Sequence, residues 1–383
     1  MKTFNKILIF CFFYICIFNQ TAYTSEKIKI GLIVPLSGEN SLIGDKIIKS
    51  IRMAINKIND NKIEILPKDT KSNPIDALKV SKELYNQGVR IIIGPVYNES
   101  TKYLDDLSDV TFISFTNKLI DNPKNVISAG VNAISQIQTI KKFNDQSNLN
   151  KSLFLIPKSE FKNEIVSAIN FTKIKYKEVF YFDREPTKLT KQIEDLTKYQ
   201  TRKNNLKFEI ERLENLSFKD KEKKIQNLKK RDTLGNIRFD SVVIADFDEN
   251  LKSVATSLLY TDISSKRIFY ITLNQWFDKS LLNESMIQPI YFPSVNYDNY
   301  IEYLNKFNNN FKTNSNQIAF LSYDLTGLVY YLLFKNNFIV DSQIFYKKNS
   351  FKGKIGIFEI DKNIITHQLN FYVIENKEIK KIF

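Results

Sequence analysis

Apolar positions along the chain follow two alternating rhythms. Residues 28–34 form an unbroken apolar strand pattern that runs into Pro35-Leu36-Ser37-Gly38. Ile47, Ile48, Ile51, Ala54, Ile55 and Ile58 then recur every three to four positions, the spacing of one buried helix face. The alternation continues with a strand over 62–66, a helix over 74–86, a β-branched strand over 89–93 closed by Gly94-Pro95, a helix over 99–107 and a strand over 111–115. Strands and helices alternating at this spacing predict βαβ units, right-handed crossovers and a mostly parallel sheet.

The pattern restarts after Gly130. A helix is expected over 134–143, strands over 152–156 and 178–182, and a helix between them over 162–172. A further strand (241–245), helix (251–259) and strand (267–272) follow, which together predict a second sheet of the same kind. The repetition is one of architecture, without duplication of residues. Within the second half, residues 187–235 change character. They are dense in Lys, Glu, Asn and Gln, with Ile193, Leu196, Leu206, Ile210, Leu213, Leu216, Ile225 and Leu228 at roughly helical spacing and a break near 215–220. Two long amphipathic helices are expected, lying either as solvated helices on the lobe surface or as an arm that touches a partner. In the tail, 297–311 and 319–334 read as helices, the second strongly apolar but too short and punctuated for a membrane span. Apolar positions with turn residues at 361–363 and 375–377 read as short antiparallel strands, so the chain revisits its lobes after the second sheet. The expected division is a first lobe of 28–146 with 294–340 and a second of 147–293 with 341–383, the charged insert at 187–235 belonging to the second.

Composition changes the picture at the N-terminus. Lys2 and Lys6 precede an apolar run over 7–18, and polar residues with Ala22 and Thr24 follow. This is the layout of a signal peptide over 1–24, cleaved near Thr24 for export to the periplasm and leaving no transmembrane span in the mature chain, with an uncleaved N-terminal anchor as the alternative. Both cysteines, Cys11 and Cys16, lie in that run, preceded by Phe10 and Ile15 rather than the small residue a lipidation site needs. The mature chain therefore lacks cysteine, which excludes thiol chemistry, zinc–thiolate sites and iron–sulfur clusters. The full sequence of 383 residues is long enough for two lobes held by their own cores. The net charge is +14, or +12 without Lys2 and Lys6. Basic residues are interleaved with acids and form no Arg-rich stripe or nucleic-acid module, so no nucleic acid is expected. Attraction to an anionic envelope surface remains open.

The chemistry is that of binding. Gly-x-Ser-x-Gly and the phosphate loop ending in Gly-Lys-Ser/Thr are absent. The single histidine, His367, stands in a polar tail segment and reads as a solvated or hydrogen-bonded surface residue. Asp105, Asp106 and Asp109, or Asp246 and Asp248, lack calcium-loop spacing. No enzyme, cofactor or metal is expected. In parallel sheets ligands sit beyond the carboxyl ends of the strands. The loops there carry Ser37, Tyr97, Asn98, Ser100, Thr116 and Asn117, which offer hydroxyls, amides and nearby helix starts to a small polar group. Ser37, Thr116 and Asn117 also suit helix capping or turns. The matching edge of the second lobe offers Phe182, Asp183 and Asp246, and Trp276 is either a cleft wall or a packed anchor.

Four segments carry a family resemblance. Residues 29–38 (Lys-Ile-Gly-Leu-Ile-Val-Pro-Leu-Ser-Gly) resemble the opening of type 1 periplasmic solute-binding proteins, the group that binds branched-chain amino acids. Residues 91–95 are similar to that family's third strand and turn. Residues 319–324 resemble its Ala-x-x-Tyr-Asp helix, and 351–361 its Phe-x-Gly-x-x-Gly segment. A narrower resemblance, through 113–117, 128–136, the charged insert and Asn274-Gln275-Trp276, is to the penicillin-binding protein activators. The resemblance implies two Rossmann-like α/β lobes joined by three crossovers around a cleft, and an exported location. It also implies one of two partners besides a small polar ligand: an inner-membrane ABC permease, or a peptidoglycan synthase that the protein activates. In amino-acid binders of this family a Ser and a Thr hold the ligand carboxylate. Thr116 matches the second, whereas the first falls among Val96, Tyr97 and Asn98, with Ser100 further on. No residue matches the acid that holds the ligand amine, which argues against branched-chain amino acids.

Overall fold

The computed structural model describes residues 27–383; the expected signal peptide lies outside them. The first lobe opens with β1 (Ile28–Val34), α1 (Ser41–Ile58), β2 (Ile63–Asp69), α2 (Pro74–Asn86), β3 (Ile91–Ile93), β4 (Thr111–Ser114) and β5 (Val126–Ser128). The strands pair in the order β2-β1-β3-β4-β5, all parallel. Alternate side chains of each strand enter different cores: Leu32, Ile91, Ile93 and Ile113 pack on one side of the sheet, and Ile33, Ile92 and Phe112 on the other. Covering both faces is what a parallel sheet requires. Helix α2 starts where Asn73 caps it, its Oδ1 accepting from the Ile75 and Asp76 amides. The helix expected over 99–107 is instead two single 3-10 turns, Asn98–Thr101 and Leu104–Leu107. Thr101 Oγ1 donates to the Asn98 carbonyl at 2.7 Å, the local side-chain competition by which short polar residues interrupt helices.

The second lobe comprises α3 (Ala133–Gln146), β6 (Ser152–Pro157), α4 (Lys162–Thr172), β7 (Glu178–Phe182), α5 (Pro186–Leu196), α6 (Tyr199–Glu214), α7 (Lys221–Lys229), β8 (Ser241–Ile244), α8 (Asp248–Tyr260), β9 (Phe269–Thr272) and β10 (Ile290–Ser294). After α9 (Tyr297–Phe311), α10 (Gln317–Lys335), β11 (Asn349–Lys352), β12 (Ile357–Asp361) and β13 (Ile364–Gln368), the chain returns to add β14 (Asn370–Glu375) and β15 (Glu378–Lys381). The seven-stranded order is β15-β14-β10-β9-β8-β6-β7, with only β14 and β15 antiparallel to their neighbours. Strands β11-β12-β13 form a separate antiparallel sheet, whose Phe351 ring lies 5.6 Å from that of Tyr331 of α10, so these strands do not join the second sheet with β14 and β15 as the sequence grouping placed them. Helix α3 lies on the second sheet, not with the first as the sequence grouping placed it. Its Ile134, Ile137, Ile140 and Phe143 share a core with Phe154, Ile156, Val243 and Phe371.

The charged insert contains three helices rather than two. Lys198 adopts a left-handed φ of 52° between α5 and α6, and that breaks the expected first helix. The break at 215–220 separates α6 from α7; the two helices are in contact, and Leu206, Leu213 and Ile225 are buried. Among the described residues α10 alone has the length and hydropathy to cross a membrane. It is a core helix: Phe320, Leu325, Leu328, Val329, Leu332 and Leu333 are buried, and its Ala319 carbonyl accepts from Ser50 of α1 at 2.5 Å.

Candidate functional site

Three chain crossings lie side by side between the lobes, after β5, after β10 and after β13. They are bonded to one another's neighbourhoods. Asn132 Nδ2 donates to the Ile365 carbonyl at 2.6 Å, the Asn296 amide to Ile355 at 3.0 Å, and the Tyr372 hydroxyl to Val295 at 2.9 Å. Such a cluster of parallel crossings is the structural form of a hinge.

Beyond the carboxyl ends of β3 and β4 a cavity of about 470 Å³ opens between the lobes. Gly94 makes it possible. Its φ is 112°, and a Cβ there would stand 2.2 Å from the Ile33 carbonyl oxygen. The turn after β3 delivers Tyr97 and Asn98 to the cavity, and the loop after β4 delivers Thr116, Asn117 and Lys118. Thr116 Oγ1 accepts from the Lys118 amide at 3.2 Å, so its proton is left to donate elsewhere. Asn98 Oδ1 is buried without a partner. Burial pushes the Tyr97 phenol above its ordinary pKa, and the charge of Glu39 adds to the effect.

Trp276 supplies the second lobe's wall. It and Phe277 take left-handed φ values of 47° and 61°, costly for bulky residues. The bend is held from both sides. Asn274 Oδ1 accepts from the Trp276 amide at 2.9 Å, and Phe277 enters an aromatic cluster, 4.8 Å from the Tyr297 ring and 5.1 Å from Tyr372. Asn274 is fixed in turn by Gln136 Oε1, which accepts its amide at 2.8 Å, and by the Ser294 hydroxyl. Trp276 lines the cavity and packs near Tyr300, 6.2 Å between rings.

The other candidates do not line this cavity. Ser37 donates to Asp69 Oδ2 at 2.5 Å, tying the β1 loop to the end of β2. Ser100 is buried, its hydroxyl unpartnered. Phe182 is wholly buried, in the core that holds Leu189 and Ile193 of the covering helix α5. Asp246 is 1% exposed, its carboxylate accepting from Arg184 Nε at 2.9 Å and Nη2 at 2.8 Å, which commits both oxygens to one guanidinium. His367 is not a surface residue: it is 2% exposed, with neither ring nitrogen partnered and its ring edge-on to Phe358 at 4.5 Å. Strand pairing with Phe358 turns it inward, which no local polarity pattern reveals.

Glu164 was invisible in the sequence. Its Oε1, on α4, accepts the Leu119 and Ile120 amides of the first lobe at 3.0 and 2.9 Å, and Lys118 meets Glu160 at 3.5 Å beside it. Replacing Glu164 with alanine strands two amides. Hydrogen exchange at residues 119 and 120 is expected to accelerate, with a stability loss of about 1–3 kcal/mol. Unchanged exchange there would show that this clamp holds nothing.

Two facing α/β lobes, three crossings and a cleft define the type 1 periplasmic-binding-protein fold. Among the described residues no group of three or more His, Cys, Asp or Glu is placed to hold a metal ion. Residues 27–156 match the family model described as periplasmic binding protein. Among solved structures, a Rhodospirillum rubrum protein described as a branched-chain amino acid ABC transporter superposes with a TM-score of 0.69 at 11% identity, over 93% of this chain and 100% of that one. The C-domain of LpoA from Haemophilus influenzae, a regulator of PBP1A, gives 0.61 at 12% identity, over 93% and 100%. The branched-chain amino acid binding protein LivJ from Streptococcus pneumoniae, in complex with isoleucine, gives 0.53 at 16%, over 93% and 98%. At such identities the likeness is one of fold and favours neither branch. No curated protein sequence matches the chain.

Proposed function

We propose that the protein captures a small polar ligand in the periplasm by closing its lobes on the cavity beside Trp276, and presents it to an inner-membrane ABC permease. The observation that carries this reading is the meeting of first-lobe donors and acceptors (Tyr97, Asn98, Thr116, Asn117) with a second-lobe aromatic wall across one cavity. The moving units are the first sheet with α1, α2, α9, α10 and the three-stranded sheet, against the second sheet with α3 to α8. No carboxylate lines the cavity; the acids that act on its lining are exposed ones, Glu39 on Tyr97 and Glu160, 3.5 Å from Lys118. A free ammonium group finds no buried counter-charge there, so ligands without an amine are favoured over zwitterionic amino acids.

Calorimetry and thermal shift with a panel of small organic acids, amides and amino acids test the reading. Trp276→Ala and Thr116→Ala are each expected to weaken the retained ligand about 10–100-fold, roughly 1.4–2.8 kcal/mol. Affinity unaffected by either change would place the ligand elsewhere.

A second reading is favoured by the Glu164 clamp, which ties the lobes together without a ligand. In it the scaffold is an interaction protein that activates a peptidoglycan synthase. Native mass spectrometry of protein purified from its own periplasm separates the two. A bound metabolite supports capture, and an empty cleft with co-purifying synthase supports regulation.

A further inference from the structure

The cleft makes no use of the insert between β7 and β8, which concentrates charge to an unusual degree. Residues 198–231 hold twelve Lys and Arg against five Asp and Glu, a net +7 in 34 residues; the rest of the chain supplies the other half of the total +14. Of the twelve only Arg202 is buried, and it anchors the arm. It donates to the Thr197 carbonyl at 3.0 Å and Thr233 Oγ1 at 2.8 Å, and reaches the Thr261 carbonyl at the end of α8. The remaining charges are displayed on an ordered projection. Lys203, Lys219, Lys223, Lys224 and Lys230 are exposed and take part in no ion pair.

We propose that the α6–α7 arm docks on an anionic phospholipid surface. Three observations favour a bilayer over an acidic protein or nucleic acid. Nine of the eleven displayed cations are lysines, point charges without the planar fork that reads carboxylate or phosphate in pairs. The guanidinium of Arg212 is already spent on Glu209, at 2.8 Å through both Nε and Nη2. A lipid surface presents diffuse negative charge that asks for no such geometry. Large apolar side chains also stand exposed among the lysines: Phe208, 64% exposed on the face of α6 opposite Leu206 and Leu213, and Leu216 at the turn, 43% exposed. A helical hairpin with basic residues and a few exposed apolar ones suits the headgroup boundary, where the charge recruits and the apolar groups enter.

The test is co-sedimentation of the protein lacking residues 1–24 with phosphatidylglycerol vesicles and, separately, phosphatidylcholine vesicles. Binding is expected to phosphatidylglycerol alone and to weaken as salt rises. The combined change K219E, K223E, K224E and K230E is expected to reduce it roughly 100-fold or more, since four displayed cations become anions facing the same surface. Phe208→Ser, which leaves every charge in place, is expected to reduce it about tenfold without altering the salt dependence. Equal binding to both vesicles, no binding at low salt, or undiminished binding by the four-fold variant would each overturn the proposal. Selective capture of an acidic protein or nucleic acid while vesicles remain unbound would do the same.

Discussion

Replacing His367 with leucine is expected to abolish the stability loss that the parent protein suffers as the pH falls from 6.5 to 3. The imidazole is buried against Phe358 with no partner for either nitrogen, and burial pulls its pKa from 6.5 down to about 3. In the folded chain it stays neutral throughout that interval, while the unfolded chain takes up a proton as soon as the pH drops below 6.5. Protons therefore favour unfolding, and the full stability is present only above 6.5. The shift amounts to roughly 4–5 kcal/mol. Asp324 acts in the opposite sense. Burial raises its carboxyl from 3.8 to about 6, against the pull of the Ile355 and Lys354 amides and the Lys354 charge. The fold thus prefers the protonated acid, whose contribution is present below pH 3.8 and lost as pH rises through 6, by roughly 3 kcal/mol. The two groups offset each other between pH 3.8 and 6, and below 3.8 the histidine acts alone. Urea unfolding of the parent and of His367→Leu across this range measures the difference. The parent should be nearly level from pH 4 to 6 in these two contributions and fall steeply below, whereas the variant should gain stability as the pH drops from 6 to 4. Parallel profiles would refute the assignment.

Gly353→Ala is expected to lower the melting temperature by about 3–5 °C, equivalent to roughly 2–4 kcal/mol. A Cβ on Gly353 would stand 2.4 Å from Asp324 Oδ2 and 2.9 Å from the Phe358 ring. The carboxylate has no room to retreat, because the same oxygen accepts the Ile355 amide at 2.6 Å in a fully buried setting. The methyl group must therefore displace a buried acid from its hydrogen bond. Asp324→Ala alone leaves the Ile355 amide without a partner, at a cost of about 1–3 kcal/mol. Because both changes act through one contact, the double variant should cost less than the sum of the two. Strict additivity in thermal or urea unfolding would show that the glycine is required for some other reason.

The contact between Asp324 and residues 353–355 explains two features of the sequence at once. The 319–324 and 351–361 segments are distant along the chain, yet one supplies the buried acid and the other the glycine and amides around it. The sequence showed that each segment was distinctive; only the fold showed that they are one structure. The cleft was legible to a similar degree. Tyr97, Asn98, Thr116, Asn117 and Trp276 fall where strand ends predicted, because loops at the carboxyl ends of parallel strands must converge. Phe182 and Asp246 obeyed the same positional rule and still turned away, one into the core beneath α5 and the other to Arg184.

Alternating apolar periods were enough to predict two mostly parallel sheets, most of their covering helices and the returning antiparallel tail, since each period reports which side of its own element is buried, but they did not place β5 or β10 and made one helix of the two 3-10 turns at 98–107. Tertiary structure decided the rest: which sheet α3 covers, where the insert bends, that His367 faces inward, and that Glu164 bridges the lobes. These outcomes depend on partners dozens or hundreds of residues away, and a polar side chain's neighbours in sequence carry no record of which distant amide, guanidinium or ring will meet it.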